Sequence, residues 1–177
     1  MSAGRRLLIV CGLEGAGKST IVRALLPHTP NGARIDGEDV AGINPCPFDE
    51  PFFDLLRRNV AGLVRNFWEA GYRNVIAGSF IRNEDDLRAF QALIPKPAGL
   101  HVIELLVAKQ VRDVRRATRA KQTTQEWRDQ VDLVERDART IREPSGDYRY
   151  VAIDTTQLDV PATVDRIRAA IPEVYGA

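Results

Sequence analysis

Gly12–Thr20 reads GLEGAGKST, a complete G-x-x-x-x-G-K-[ST] run. It follows the apolar stretch Leu7–Cys11 and opens the apolar-periodic stretch Ile21–Leu26, so the order is strand, glycine loop, helix. That context makes the pattern a phosphate-binding loop. Gly15, Ala16 and Gly17 let successive N–H groups turn inward around a phosphate, and a helix beginning near Lys18 adds its positive end. Lys18 is long enough to reach the β and γ phosphates as a point charge, and the Ser19 hydroxyl is suited to Mg²⁺ bridging the same oxygens. Gly15, Ala16, Gly17, Lys18, Ser19 and Thr20 are therefore the predicted cradle of a nucleoside triphosphate and its metal. A tight turn that binds nothing does not call for Lys followed by Ser.

Working outward, four further apolar runs read as buried parallel strands: Ala33–Ile35, Val75–Ala77, His101–Val107 and Tyr150–Ile153. Helical patterns lie between them, and strict alternation of this kind predicts an α/β sheet covered on both faces. Phe52–Ala70 carries Phe53, Leu56, Val60, Leu63, Val64 and Phe67 at helical spacing and ends at Gly71. A polar helix with Arg112, Arg115, Arg116 and Arg119 follows the fourth strand and is interrupted by AKQTTQEW. A second helical face is expected from Trp127 through Val131, Val134, Ala138 and Ile141. The chain closes with a polar loop, TTQLDVP, and a helix over Ala162–Ile171.

The length of 177 residues suits one domain over 1–177, and 44% hydrophobic with 28% charged residues is ordinary for a globular protein. Twenty-five Lys and Arg balance 24 Asp and Glu, so the net charge of +1 indicates neither nucleic acid nor an anionic membrane as partner. Cys11 and Cys46 have no paired spacing, which suggests reduced thiols. The basic start MSAGRRLLIVCG runs into the phosphate loop rather than a cleavage site, so a cytoplasmic location is the expectation. A monomer or homodimer is expected.

Chemistry is concentrated at the carboxyl ends of the strands, where open α/β sheets bind ligands. The second strand ends ARIDGEDV. Asp36 is placed there either to orient a metal-bound water or to accept a proton from a substrate hydroxyl, and Glu38 to hydrogen-bond that substrate. The third strand, NVIAGSF, has no acid at its tip, which argues against a hydrolytic engine and for transfer of a phosphoryl group to another molecule. The clustered arginines supply a guanidinium for the charge that develops on the transferring phosphate. The Pro- and Phe-rich INPCPFDEPFFD offers Asn44, Phe48 and Asp49 to a small polar acceptor, or merely shapes the start of the next helix. Arg82 is expected to pair with an anionic acceptor or with Glu84 or Asp85. His28 and His101 lack metal spacing and read as structural.

The phosphate loop, the D-G-E-D strand end, the acid-free third strand, the Arg-bearing segment and the late I-D-T-T loop together resemble the small-molecule kinases of the nucleoside monophosphate kinase superfamily. That group includes adenylylsulfate, gluconate and shikimate kinases and chloramphenicol phosphotransferase. The resemblance implies a three-layer P-loop fold with sheet order 2-3-1-4-5, an acceptor region near 37–70 and a helical lid near 116–130. It implies ATP and Mg²⁺ as cofactors and a small molecule as phosphoryl acceptor, with a nucleotide kinase or a non-catalytic nucleotide-binding module as alternatives. By the same resemblance Asp36 is the base or metal partner and Glu38 the acceptor-contacting acid. Arg116 would pack on adenine, Arg119 would reach the transferring phosphate, and Thr155 and Thr156 would line the base pocket.

Overall fold

The computed structural model describes residues 4–97, 99–118, 139–142, 144 and 146–176. Strands β1 (Arg6–Cys11), β2 (Gly32–Asp36), β3 (Asn74–Gly78), β4 (Gly99–Leu106) and β5 (Arg149–Asp154) form one sheet in the order β2-β3-β1-β4-β5. All four pairings are parallel. Helices α1 (Lys18–Leu25), α2 (Glu50–Glu69), α3 (Glu84–Gln91), α4 (Lys109–Thr118), α5 (Val160–Ala170) and the short α6 (Pro172–Tyr175) accompany it. This is the expected doubly covered sheet in the expected order.

The two-residue alternation of β1 divides the core. Leu7, Ile9 and Cys11 face a cluster with Leu56, Val60 and Val64 of α2 and Phe90 of α3. Leu8 and Val10 face Ile21, Val22 and Leu25 of α1 with Val164 and Ile167 of α5. Successive side chains of a strand point to opposite faces, so a central strand apolar at every position can only sit between two helix layers. Burial in apolar surroundings, with Glu104 opposite in register, pushes the Cys11 thiol far above its ordinary range, so it is inert packing.

Helix boundaries follow local chemistry. α2 begins at Glu50, two residues before the apolar pattern, because the Asp49 side chain accepts the Phe52 N–H at 3.0 Å and Pro51 sits in the first turn. Asp49, a candidate for the acceptor pocket, is thus a helix cap. Asp159 caps α5 in the same way through the Ala162 N–H at 2.9 Å. The expected second helical face falls largely outside the described residues, but its last member, Ile141, is fully buried in non-helical backbone.

Glu104 explains that position. It is completely buried in β4, and its carboxylate accepts the N–H groups of Thr140 and Ile141, the latter at 3.3 Å, and the Tyr150 hydroxyl. Burial and this carboxylate together push the Tyr150 hydroxyl well above the usual phenol range, so it remains a donor. Among the described residues no helix is long and apolar enough to cross a membrane.

Candidate active site at the carboxyl edge of the sheet

The glycine loop leaves β1 in a conformation that side chains resist. Gly12, Gly15 and Gly17 have φ of +134°, +81° and +94°. A Cβ at Gly12 would lie 2.6 Å from the Leu105 carbonyl oxygen, and one at Gly15 would lie 3.0 Å from that of Arg112. The loop is therefore wedged between β4 and α4, and α1 starts directly from Gly17 without a side-chain cap. Its first N–H groups face outward with the helix's positive end, which is what an anion requires.

Lys18 folds over this cradle. Its ammonium donates to the carbonyls of Gly12 at 2.8 Å and Leu13 at 3.0 Å. The donor set, a ring of main-chain amides under one ammonium, suits the anionic tail of a nucleoside triphosphate. The Ser19 hydroxyl, at the second position of α1, offers a hard oxygen of the kind Mg²⁺ takes along with phosphate oxygens. No group of three or more His, Cys, Asp or Glu residues among the described ones is arranged to hold a metal alone.

Topology sets the next two strand tips beside this loop. β3 lies between β1 and β2, and Asp36, the last residue of β2, is in register with Gly78, the last of β3. A Cβ on Gly78 would come within 2.7 Å of Val22, so α1 is pressed onto β3. That close approach brings Ser19 to Ser79, their hydroxyl oxygens 3.2 Å apart. Ser79 has φ +65°, a left-handed backbone rare for a residue with a side chain. Its carbonyl oxygen lies 2.5 Å from where a Cβ of Gly37 would sit, which is why the D-G-E-D turn needs glycine.

Asp36 is 5% exposed. Its Oδ1 accepts the Glu38 N–H at 3.2 Å and caps the short 3-10 turn Gly37–Val40. The capping and functional readings of this carboxylate coexist, because only one oxygen is used by the cap. Glu38 itself is exposed.

A cleft of about 340 Å³ opens on the other side of the loop, lined by Ala16, Gly17, Thr20, Arg115, Thr155 and Leu158 among others. Arg115 spans it, donating to the carbonyls of Ala16 at 3.4 Å and Thr155 at 3.2 Å. Arg116, the residue expected over adenine, is instead 2% exposed, ion-paired with Asp113 and 3.8 Å from Glu14. Arg112 donates to the Glu14 carbonyl at 3.2 Å. Arg112 and Arg116 thus support the loop from beneath, while Arg115 faces the cleft. Arg119 and most of the expected lid lie outside the described residues. Thr155 is buried, its N–H held by the Leu106 carbonyl at 2.8 Å. Thr156 points elsewhere, its hydroxyl accepting the Ala108 N–H at 3.0 Å and its N–H donating to Asp154 at 2.9 Å. The Thr156 side chain first, and then its backbone N–H, hold the Asp154 carboxyl below its usual range.

Beyond β3 the side chain of Arg82 turns to Asp86 and Glu50. Its Nε and backbone N–H both reach Asp86 Oδ2, at 2.7 and 2.9 Å, its Nη2 reaches Glu50 at 2.9 Å, and its guanidinium lies 3.6 Å over the Phe53 ring. Arg57, buried in α2, binds the same two carboxylates. The two guanidiniums hold the Glu50 carboxyl below its ordinary range. Asn44 is exposed, and Phe48, half exposed at φ +48°, sets its ring 5.4 Å from Phe52 in an edge-on contact. Sequence reasoning missed Ser79, Arg115 and the Arg57–Asp86 pairing. Arg115 belonged to the recognised arginine cluster, but nothing in the serine's own identity marked Ser79.

No protein-family model matches the chain, and no curated protein matches it by sequence. Solved structures do match. A sugar kinase from Janibacter sp., unliganded, superposes with a TM-score of 0.68 at 14% identity, over 93% of this chain and 92% of that one. An APS kinase from Mycobacterium tuberculosis, in complex with AMPPNP and APS, gives 0.64 at 10% identity over 95% and 98%. A gluconokinase from Sinorhizobium meliloti gives 0.61 at 16% identity over 96% and 95%. The chain has the fold of these P-loop kinases along essentially its whole length.

Proposed function

We propose that this chain is an ATP- and Mg²⁺-dependent phosphotransferase that moves the γ-phosphate to a hydroxyl of a small molecule, a metabolite or an antibiotic-like compound. The observation that carries this reading is the row of strand tips: the Lys18 loop, the Ser79 turn and the Asp36 carboxylate follow one another along β1, β3 and β2. A phosphate donor on the first and a proton acceptor on the third leave the space between for an acceptor hydroxyl. The kinase fold of the structural neighbours supports the same reading.

In this reading the loop amides and Lys18 hold the triphosphate, Ser19 would hold the metal, and Asp36, whose alternative is to orient a metal-bound water, serves as the base. Mg²⁺, when bound, neutralises the phosphate oxygens. The acceptor oxygen bonds to the γ phosphorus as the bond from that phosphorus to the β–γ bridging oxygen breaks, and the electron pair leaves with ADP. The acceptor proton passes to Asp36, through the oxygen not engaged by the Glu38 N–H. Arg115 closes the nucleotide cleft, with Thr155 lining it. Glu38, Asn44 and Phe48 border the acceptor, and Arg119 remains the proposed partner of the transferring phosphate.

The test is a mass-spectrometric screen for phosphorylated products with ATP, Mg²⁺ and a broad acceptor panel, with Lys18→Ala as control. Transfer by the wild type that falls by two to three orders of magnitude in the variant supports the reading. Nucleotide binding without any product, or unchanged turnover in Lys18→Ala, overturns it.

A further inference from the structure

We infer that the chain holds a second binding site, at the amino edge of the sheet, for a small oxyanion that also carries a hydroxyl group: a hydrogen phosphate or a hydroxycarboxylate. The strands whose carboxyl ends surround the glycine loop leave a cavity of about 360 Å³ at their other end, lined by Arg6, Gly99, His101, Arg149 and Glu173 among others. Small-molecule sites occupy volumes of this order. Register builds the wall. Arg6 of β1 is paired with Gly99 of β4, and His101, two residues on, is paired with Arg149 of β5. Paired residues, and residues two apart on one strand, share a face, so these four stand together on one side of the sheet. Glu173 of α6 comes in beside them, its Oε1 3.6 Å from His101 Nδ1. Gly99 keeps the middle open. A Cβ there would lie 3.2 Å from His101 Nε2 and 3.5 Å from Arg6 Cγ, so Nε2 and the Arg6 side chain border the same space.

The imidazole is what points to a ligand. His101 is 3% exposed, yet neither Nδ1 nor Nε2 has a hydrogen-bond partner. A buried polar atom left in that state is costly, and an occupant that satisfies it removes the cost. Burial, opposed by Glu173 and aided by Arg149 and Arg6, lowers the pKa of the ring, which is therefore neutral at pH 7 and has one N–H and one lone pair. The Glu173 carboxylate draws the N–H to Nδ1, so Nε2 is an acceptor that calls for a donor. An O–H on the ligand supplies it. The charges of the wall select the rest. Each of its two carboxylates is engaged: Arg149 donates to both oxygens of Glu173 at 2.9 and 3.1 Å, and Lys96 to Asp147 at 2.8 Å. Arg6 adds a guanidinium to these matched pairs, and a planar fork of N–H donors suits the oxygens of a carboxylate or phosphate.

The chain has two histidines, and the other, His28, is exposed, so magnetic resonance of the full chain labelled with ¹⁵N-histidine follows the buried ring by itself, with His28→Gln to fix the assignment. The protein is titrated at neutral pH and constant ionic strength with inorganic phosphate, lactate and malate. Acetate supplies an anion without a hydroxyl, and glycerol a hydroxyl without an anion. Phosphate or the hydroxy acids should move the Nε2 resonance saturably, with a Kd of about 1 mM or tighter, and acetate and glycerol should bind at least about tenfold more weakly. Tighter phosphate assigns the site to a phosphate group, and tighter hydroxy acid to a carboxylate. Arg6→Gln, at a half-buried position, should weaken binding about tenfold. Arg88→Gln removes the same charge from a side chain 71% exposed on α3 and should leave binding as it was. Phosphate held by the glycine loop instead would be untouched by either variant. No saturable shift of either ring nitrogen, equal affinity for acetate or glycerol, or equal effects of the two variants would overturn the inference.

Discussion

The Ser19 and Ser79 hydroxyl oxygens stand 3.2 Å apart across the junction of α1 and β3, and Ser79 holds its side of that contact from a left-handed backbone. Such a conformation costs a residue with a side chain about 1–3 kcal/mol and persists where surrounding structure enforces it. The contact puts a second hydroxyl beside the oxygen proposed to bind Mg²⁺, on a strand whose tip has no acid. Ser79→Gly should keep near wild-type stability, because glycine accepts this backbone freely, yet lower turnover about tenfold and raise the Mg²⁺ needed for nucleotide binding. Ser79→Ala should show the same functional loss with the strain retained. A Mg²⁺ titration of nucleotide affinity, read beside thermal melts, checks both; a wild-type Mg²⁺ requirement in the glycine variant would remove the hydroxyl from the site.

Asp36→Asn keeps the Oδ1 that caps the Gly37–Val40 turn while removing the base. Phosphoryl transfer should fall by about 10²–10⁴, with nucleotide affinity by calorimetry within about twofold of wild type. Parallel loss of both would reassign Asp36 to metal binding or to the fold.

Arg115 and Arg116 are neighbours in sequence with opposite surroundings, so their alanine variants should separate. Arg115→Ala should weaken nucleotide binding about tenfold at nearly unchanged melting temperature. Arg116→Ala removes a buried guanidinium from beneath the loop, leaving Asp113 with Lys109 alone, and should cost about 1–3 kcal/mol of stability. Denaturant melts and nucleotide titrations of the pair decide the matter; an Arg115 variant that binds normally would remove Arg115 from the nucleotide cleft.

His101, buried at the amino end of β4, has no hydrogen-bond partner for either ring nitrogen among the described residues and lies 3.6 Å from Glu173. Burial lowers its pKa below the ordinary imidazole value of 6.5, against the opposing pull of Glu173 and with the aid of Arg149 and Arg6. The unfolded chain therefore takes up the proton first as pH falls. Stability contributed by the neutral ring is present above pH 6.5 and declines as pH drops from 6.5 toward the lower folded value. His101→Leu should flatten the stability–pH curve between pH 7 and 5; an unchanged slope would show that the ring is not the titrating group.

The parallel sheet and the strand–glycine loop–helix start were legible because each rests on a local pattern, apolar runs at strand length and a glycine loop of fixed spacing, while the strand order came from the family resemblance. What stayed hidden depends on packing between distant segments. Arg82 lies near Glu84 and Asp85 in the chain, but helix geometry puts Asp86, four residues on, beside it, and Glu50 arrives from a helix 32 positions away. Arg115 and Arg116 differ by one step around α4, and only the wedge of the loop against that helix decides which faces the cleft. Ser79 owes its place to the close approach of Gly78 to Val22, and Gly37 to the carbonyl behind it.

The grip of Lys18 on the Gly12 and Leu13 carbonyls makes its ammonium a brace of the loop as well as a charge within it. Shortening Lys18 removes both donations at once, so Lys18→Ala should loosen the turn that follows β1 and lower the melting temperature, whatever it does to turnover.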